Sequence, residues 1–237
     1  MSLASLQMPL GVTGYQYQSA AQMAEALALR VAEALRAAIE ARGRALLRVS
    51  GGRSPVAFFE QLARQTLPWK RVLVSLVDER WVPPSHPDSN EALVRRYLLR
   101  GAAAEACLVG LYRPAASLAQ AAELAAVGQA ALAPADVLVL GMGDDGHTAS
   151  LFPASPNLTQ ALRADCAQAV LPLHAPSAPV ERLSLTLPVL TAARLPLLAI
   201  QGPAKLAALA RALQPGPVEE LPIRALLRAP LQIHWCP

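Results

Sequence analysis

The sequence predicts a single α/β domain built on a doubly wound, mostly parallel sheet with helices on both faces. Three observations predict it. Short, wholly apolar runs such as "DVLVLGMG" (Asp136–Gly143) and "LPLLAIQG" (Leu195–Gly202) read as strands buried on both sides. Helical patterns alternate with these runs along the chain. The Pro-rich stretches are short and sit between elements, so no linker divides the 237 residues and the span 1–237 is read as one domain.

The elements follow in order. A long helix is expected over Ala20–Arg42, ending near Gly43. A strand follows at Ala45–Ser50, then a helix at Pro55–Gln65, with Ser54 as N-cap and Pro55 at the first helical position. Arg71–Asp78 reads as one strand and Asn90–Leu99 as a helix. Cys107–Tyr112 is a strand and Ser117–Leu132 an alanine-rich helix. After the Asp136–Gly143 strand, "CAQAVLPL", "RLSLTLPVL" and "LPLLAIQG" supply further strands. A helix at Pro203–Leu213 and a closing strand at Leu231–Cys236 complete the pattern.

Composition narrows the function classes. Hydrophobic residues make up 54% and charged residues 16%, which excludes a disordered or nucleic-acid-coating chain. Lys and Arg number 21 against 17 acidic residues, with no basic stripe; Arg95-Arg96 is the densest pair. That mild excess suits a small anionic substrate and no nucleic acid. Three dispersed cysteines without CxxC, and four histidines without HxxxH, argue against disulfides and a metal site, and point to the cytoplasm. No apolar run reaches membrane-spanning length, and "MSLASLQMPL" lacks the features of a signal peptide. A monomer or small homo-oligomer is expected.

In an open parallel sheet, ligands bind beyond the carboxyl ends of the strands, so the turns carry the chemistry. After the first strand, "SGGRSP" offers Gly51 and Gly52 for close backbone approach, then Arg53, Ser54 and a helix N-terminus. This suits a phosphate; an ordinary tight strand–helix turn would look the same. After the second, "DERWVPPSHPDSN" places Asp78, Glu79 and Arg80 at a strand tip, where charges are costly unless paired or used. An Asp–Arg bridge that fixes the loop would also account for them.

The third turn is "LGMGDDGHTASLFP" (Leu140–Pro153). Glycines there permit bends closed to other residues. His147, with an ordinary pKa near ~6.5, suits proton transfer at neutral pH, and Asp145 could orient it. The bland alternative is a helix-capping histidine. Lys205, in the first turn of the helix after "LPLLAIQG", opposes the helix dipole unless an anion is near. Arg182 in "ERLSLTLP" is similar. Together these features point to a small phosphorylated metabolite, with no metal or nucleotide signature.

Taken together, "SGGRSP", "VDERWVP" with "DSN", "LGMGDDGHTASLFP", "RLSLTLPVL" and "GPAK" resemble the 6-phosphogluconolactonase family, in family order from Ser50 to Lys205. The resemblance implies the Rossmann-like fold shared with glucosamine-6-phosphate deaminase. It also implies cofactor-free hydrolysis of 6-phospho-D-glucono-1,5-lactone to 6-phosphogluconate, the second step of the oxidative pentose phosphate pathway.

The expected mechanism follows. The Gly51-Gly52 turn with Ser54, Arg53, Arg80, Arg182 and Lys205 would hold the phosphate. His147 would activate water, oriented by Asp145 or Asp78. Backbone N–H groups near Gly143–Gly146, or Arg80, would stabilise the oxyanion. Two alternatives differ in kind. The related deaminases carry a glutamate where this chain has Phe152, which disfavours aldose–ketose chemistry. A sugar-phosphate-sensing domain would leave the His147 cluster without a use.

Overall fold

The computed structural model of the chain describes residues 2–132 and 134–237. The first elements are β1 (Thr13–Gln16), α1 (Ala20–Arg42), β2 (Ala45–Val49) and α2 (Val56–Ala63). Then come β3 (Val72–Leu76), β4 (Asp78–Arg80), α3 (Asn90–Tyr97), β5 (Cys107–Val109), α4 (Leu118–Ala130) and β6 (Val137–Leu140). The chain closes with α5 (Leu158–Ala161), β7 (Val170–His174), β8 (Glu181–Leu185), α6 (Leu187–Thr191), β9 (Leu195–Gln201), α7 (Pro203–Ala212) and β10 (Gln232–Cys236).

Local chemistry sets these boundaries. Before α1, the Ser19 hydroxyl accepts from the Gln22 N–H at 3.2 Å. At its end, Gly43 turns left-handed and its N–H reaches the Ile39 carbonyl at 2.7 Å. Between them Met23, Leu27, Val31 and Leu35 recur at helical spacing and are buried. Burial of each contributes roughly 1.5–3 kcal/mol before the cost of ordering it.

The main sheet has seven strands in the order β1-β10-β9-β6-β2-β3-β5, and every pairing is parallel. Every residue of β2 and β6 is buried, so these central strands are covered on both faces; the run of β6 is wholly apolar, and that of β2 is apolar but for the buried Arg48. From β2 the chain moves outward through β3 and β5. It then returns to the other side of β2 and moves outward again through β6, β9 and β10. The order therefore reverses between β2 and β6, and the loops leaving these neighbours open a crevice at their carboxyl ends.

Three expectations need correction. The stretch "RLSLTLPVL" is not a strand throughout: β8 ends at Leu185, and Leu187–Thr191 form α6, with Pro188 in its first turn. The single strand read over Arg71–Asp78 is two strands in two sheets. Val77 is the junction: its N–H bonds to Val49 of β2 at 3.0 Å, while its carbonyl accepts from Leu185 of β8 at 2.9 Å. Beyond it, β4 joins β8 and β7 in a separate antiparallel sheet. Ser54 is not an N-cap: α2 begins at Val56, Pro55 takes the cap position, and no side chain caps the helix. Pro55 is itself in the helical region, with φ of −79° and ψ of −3°, so the extended cap conformation that turns a side-chain oxygen onto the first N–H groups is not formed.

Candidate functional site

A cleft of about 380 Å³ lies at the reversal between β2 and β6. Gly51, Gly52, Ser54, Asp78, Arg80, Asn90, Gly143, His147, Phe152, Arg182 and Lys205 all contribute to its wall. Residues from five separate stretches of sequence thus converge where the topology leaves an opening.

The turn after β6 carries the Asp145–His147 pair. His147 Nδ1 lies 2.5 Å from Asp145 Oδ1, and the same oxygen accepts from the His147 N–H at 3.1 Å. Burial would raise the Asp145 carboxyl, but hydrogen bonds and charge from His147 outweigh it and hold the carboxyl below its usual value. Gly143 makes the pair possible. A Cβ at that position would stand 2.1 Å from His147 Nδ1 and 2.3 Å from Asp145 Oδ1. Thr148 secures the turn by donating to the Gly141 carbonyl at 2.8 Å. Across the turn from Asp145, the Phe152 ring meets the imidazole with centroids 4.2 Å apart.

The turn after β2 offers an anion site. Among the described residues, the backbone N–H groups of Gly51, Gly52, Arg53 and Ser54 have no hydrogen-bond acceptor in the protein. Consecutive N–H groups at a glycine turn before a helix form a natural phosphate cradle. This turn is tied to its neighbour, because the Ser50 N–H reaches Val139 at 3.0 Å and the Ser50 hydroxyl accepts from Gly141 N at 3.2 Å.

The three charges at the β3–β4 boundary have three different fates. Glu79 is fully buried and accepts from the N–H groups of Arg80, Asn90 and Glu91 and from the Ser89 hydroxyl, at 2.7–3.0 Å. Burial pushes its carboxyl up to about 7 against the pull of those donors. It fixes the loop that joins β4 to α3. Asp78 accepts from Ser150 Oγ at 2.6 Å and lies 3.5 Å from Asn90 Nδ2. Arg80 bonds the Asp88 carbonyl.

Arg80 stands directly opposite Arg182 across the β4–β8 ladder. Arg182 is buried, donates through Nε to the Pro179 carbonyl at 2.8 Å, and lies 5.8 Å from the centre of the Phe152 ring. Burial, then the Arg80 charge, lowers the Arg182 guanidinium below its usual value. Like charges facing across a ladder are unfavourable unless an anion joins them.

The cleft brings together most of the residues expected from sequence, but not all in the expected roles. Arg53 is exposed and is not part of the cleft wall. Asp78 does not contact His147, because its oxygens are directed to Ser150 and Asn90. The N–H groups of Gly143 and Gly146 do not serve an oxyanion, since they bond the His147 and Gly143 carbonyls at 2.8 and 3.1 Å within the turn. Lys205 does face the cleft, yet it already holds a carboxylate, Asp144, at 3.0 Å.

Sequence reasoning missed three contributors. Asn90 reads as the first residue of a helix and the end of the "DSN" stretch, with no role of its own. Phe152 reads only as a missing glutamate. Ala149 carried no signal, yet it adopts φ of 50° on the cleft wall, a strained choice for a residue with a side chain.

Comparisons with known proteins agree with the fold and give the family. The family described as glucosamine-6-phosphate isomerases/6-phosphogluconolactonase matches residues 18–235. A 6-phosphogluconolactonase of Pseudomonas aeruginosa is 56% identical, covering 100% of both chains. One from Rhizobium meliloti is 47% identical over 93% of this chain and 97% of its own. The crystal structure of a 6-phosphogluconolactonase from Shewanella baltica superposes with a TM-score of 0.92 at 34% identity, covering 98% of this chain and 100% of that one. A monomeric glucosamine-6-phosphate deaminase shares the fold, with a TM-score of 0.78 at 17% identity.

Proposed function

The chain belongs to the glucosamine-6-phosphate isomerase/6-phosphogluconolactonase family, and from that premise we infer that it hydrolyses 6-phospho-D-glucono-1,5-lactone to 6-phosphogluconate. The observation that carries the reading is the Asp145–His147 pair opening onto a cleft that also holds Arg80, Arg182 and Lys205. A general base and a set of cations in one cavity suit a substrate with a carbonyl at one end and a phosphate at the other.

The phosphate is held by the N–H groups of Gly51 to Ser54 and by Lys205. Anchoring it places the distant carbonyl carbon, so binding energy becomes orientation. His147 then takes a proton from water through Nε2 while Asp145 holds Nδ1. The imidazolium that forms is bonded to the Asp145 carboxylate and packed against the tilted Phe152 ring, and both favour its charge.

The Arg80–Arg182 pair supplies donors to the tetrahedral oxyanion, since the glycine N–H groups of the His147 turn are committed. Asp78, held by Ser150 and Asn90, accepts from a ring hydroxyl. His147 returns its proton to the ring oxygen as the ester bond breaks. A δ-lactone is already activated, so this sequence of steps uses no covalent nucleophile and no cofactor.

The whole chain acts as one domain in this reading, supported by a single buried cluster that runs from Leu3 to Cys236. Three free thiols, at Cys107, Cys166 and Cys236, support a reducing cytoplasm. The deaminase alternative is disfavoured because its expected carboxylate position is filled by Phe152, whose ring packs on His147.

The test is hydrolysis of freshly generated 6-phosphogluconolactone against a boiled control, because the lactone also opens spontaneously. A rate no faster than the control would overturn the assignment.

A further inference from the structure

The Lys205–Asp144 ion pair assigns a duty to a residue that the mechanism does not use. Asp144 Oδ1 lies 3.0 Å from Lys205 Nζ, with the Asp144 side chain 69% exposed and that of Lys205 28% exposed. The Asp144 carbonyl accepts from Arg211 Nη2 at 2.7 Å, so the turn is fastened to α7 through the main chain as well. The carboxylate can therefore swing into water while the turn, and Asp145 with it, stays in place. Asp145 meanwhile bonds His147. Adjacent carboxylates on one turn thus face the two ends of the proposed substrate.

We propose that Asp144 is an internal competitor for Lys205, which weakens the grip of the cleft on the phosphate of its ligands, the product included. The proposal rests on the reading that Lys205 meets the substrate phosphate. Hydrolysis converts a neutral lactone carbonyl into a carboxylate, so the product carries one more negative charge than the substrate. A cleft lined by Arg80, Arg182 and Lys205 would for that reason hold product more tightly than substrate. A carboxylate tethered beside Lys205 loosens the hold on the shared phosphate by reclaiming the ammonium group and repelling the departing anion, and so offsets part of that added attraction. An exposed ion pair is weak, worth at most about a fivefold change in an equilibrium constant. Such a pair yields to an arriving phosphate and still speeds its release.

The experiment is inhibition of lactone hydrolysis by 6-phosphogluconate and by inorganic phosphate, in the native chain, Asp144→Asn, Lys205→Met and the double variant. Asp144→Asn should lower both inhibition constants by roughly two- to fivefold. Lys205→Met should raise them, and on that background Asp144→Asn should have no effect. Asp144→Glu, which keeps the charge, should stay near the native constants. Unchanged or raised constants in Asp144→Asn, with Lys205→Met still raising them, would overturn the proposal and leave the phosphate site standing. Constants unmoved by Lys205→Met would overturn both.

Discussion

The rings of His147 and Phe152 pack against each other at a tilt, with centroids 4.2 Å apart and planes inclined by 36°. An aromatic face stabilises a neighbouring cation by about 0.5–2 kcal/mol. In the proposed mechanism His147 becomes cationic only as water attacks, so the contact should act on kcat. Phe152→Leu should lower kcat by roughly 2- to 30-fold, and Phe152→Tyr, which keeps the ring, should retain most of it. Equal losses in the two variants would mean that Phe152 only fills space.

His147 and Asp145 should behave as a unit. His147→Ala should lower kcat by roughly 10²–10⁴-fold with an unchanged far-ultraviolet circular dichroism spectrum. Asp145→Asn should cost at least about tenfold in kcat, because the amide loses the charge that steadies the imidazolium. Asp78→Asn should instead raise KM more than it lowers kcat. Kinetics of the three variants at one pH separate these roles; a larger kcat loss in Asp78→Asn than in Asp145→Asn would reverse them.

The cations divide by exposure. A charge-assisted hydrogen bond to phosphate is worth about 1.5–3 kcal/mol, so Lys205→Ala should lower kcat/KM for the phosphorylated lactone by roughly 10- to 150-fold. Unphosphorylated gluconolactone cannot lose that bond and should be little affected. Arg80→Ala and Arg182→Ala should depress turnover of both lactones, because an oxyanion forms on either. Arg53→Ala should change little, as Arg53 stands outside the cleft wall. Measuring kcat/KM for both lactones in all four variants checks each assignment, and a phosphate-selective loss in Arg182→Ala would move that residue to the phosphate.

Acid should weaken the fold through His234. This residue is buried between Tyr15 and Tyr17, with the Tyr17 hydroxyl 2.8 Å from Nδ1. Burial, then the charge of Arg30, pushes its pKa down to about 4. The unfolded chain takes up the proton near 6.5, so this contribution is full above that pH and is lost as pH falls through about 4. The loss is roughly 3 kcal/mol at most. Thermal unfolding should show a drop in Tm between pH 7 and pH 4 that is smaller in His234→Gln. The same drop in both proteins would place the acid sensitivity elsewhere.

Much of this was legible in the residues. The bounds of α1 follow from Ser19 and Gly43, whose cap chemistry is local, and the sequence pattern marks Ala20–Arg42 as the structure has it. The parallel sheet was legible because strands buried on both faces leave unbroken apolar runs. The junction at Val77 was not, since a change of hydrogen-bonding partner leaves no mark on side-chain type. Strand β1 was not read either: Thr13–Gln16 is exposed throughout and lacks an apolar pattern. Within the cleft, residue types marked most of the polar side chains that line it, but not their pairing. Asp78 and Asp145 are chemically equal in sequence, and only their neighbours, Ser150 and His147, tell them apart.

The junction at Val77 also bears on rigidity. Because the chain changes sheets there, Arg80 and Arg182 face each other as rungs of one ladder, and main-chain hydrogen bonds fix the span between their backbones. That span works as a caliper. Its opening is set by the regular spacing of β-structure, about 4.5–5.5 Å between opposed residues, rather than by the reach of flexible side chains. Little ordering of the backbone is then left for the moment the ligand arrives, while the loop carbonyls of Asp88 and Pro179 hold the two guanidinium groups in place. A shift in register between β4 and β8 would be another matter, since it would part the two jaws without altering either arginine.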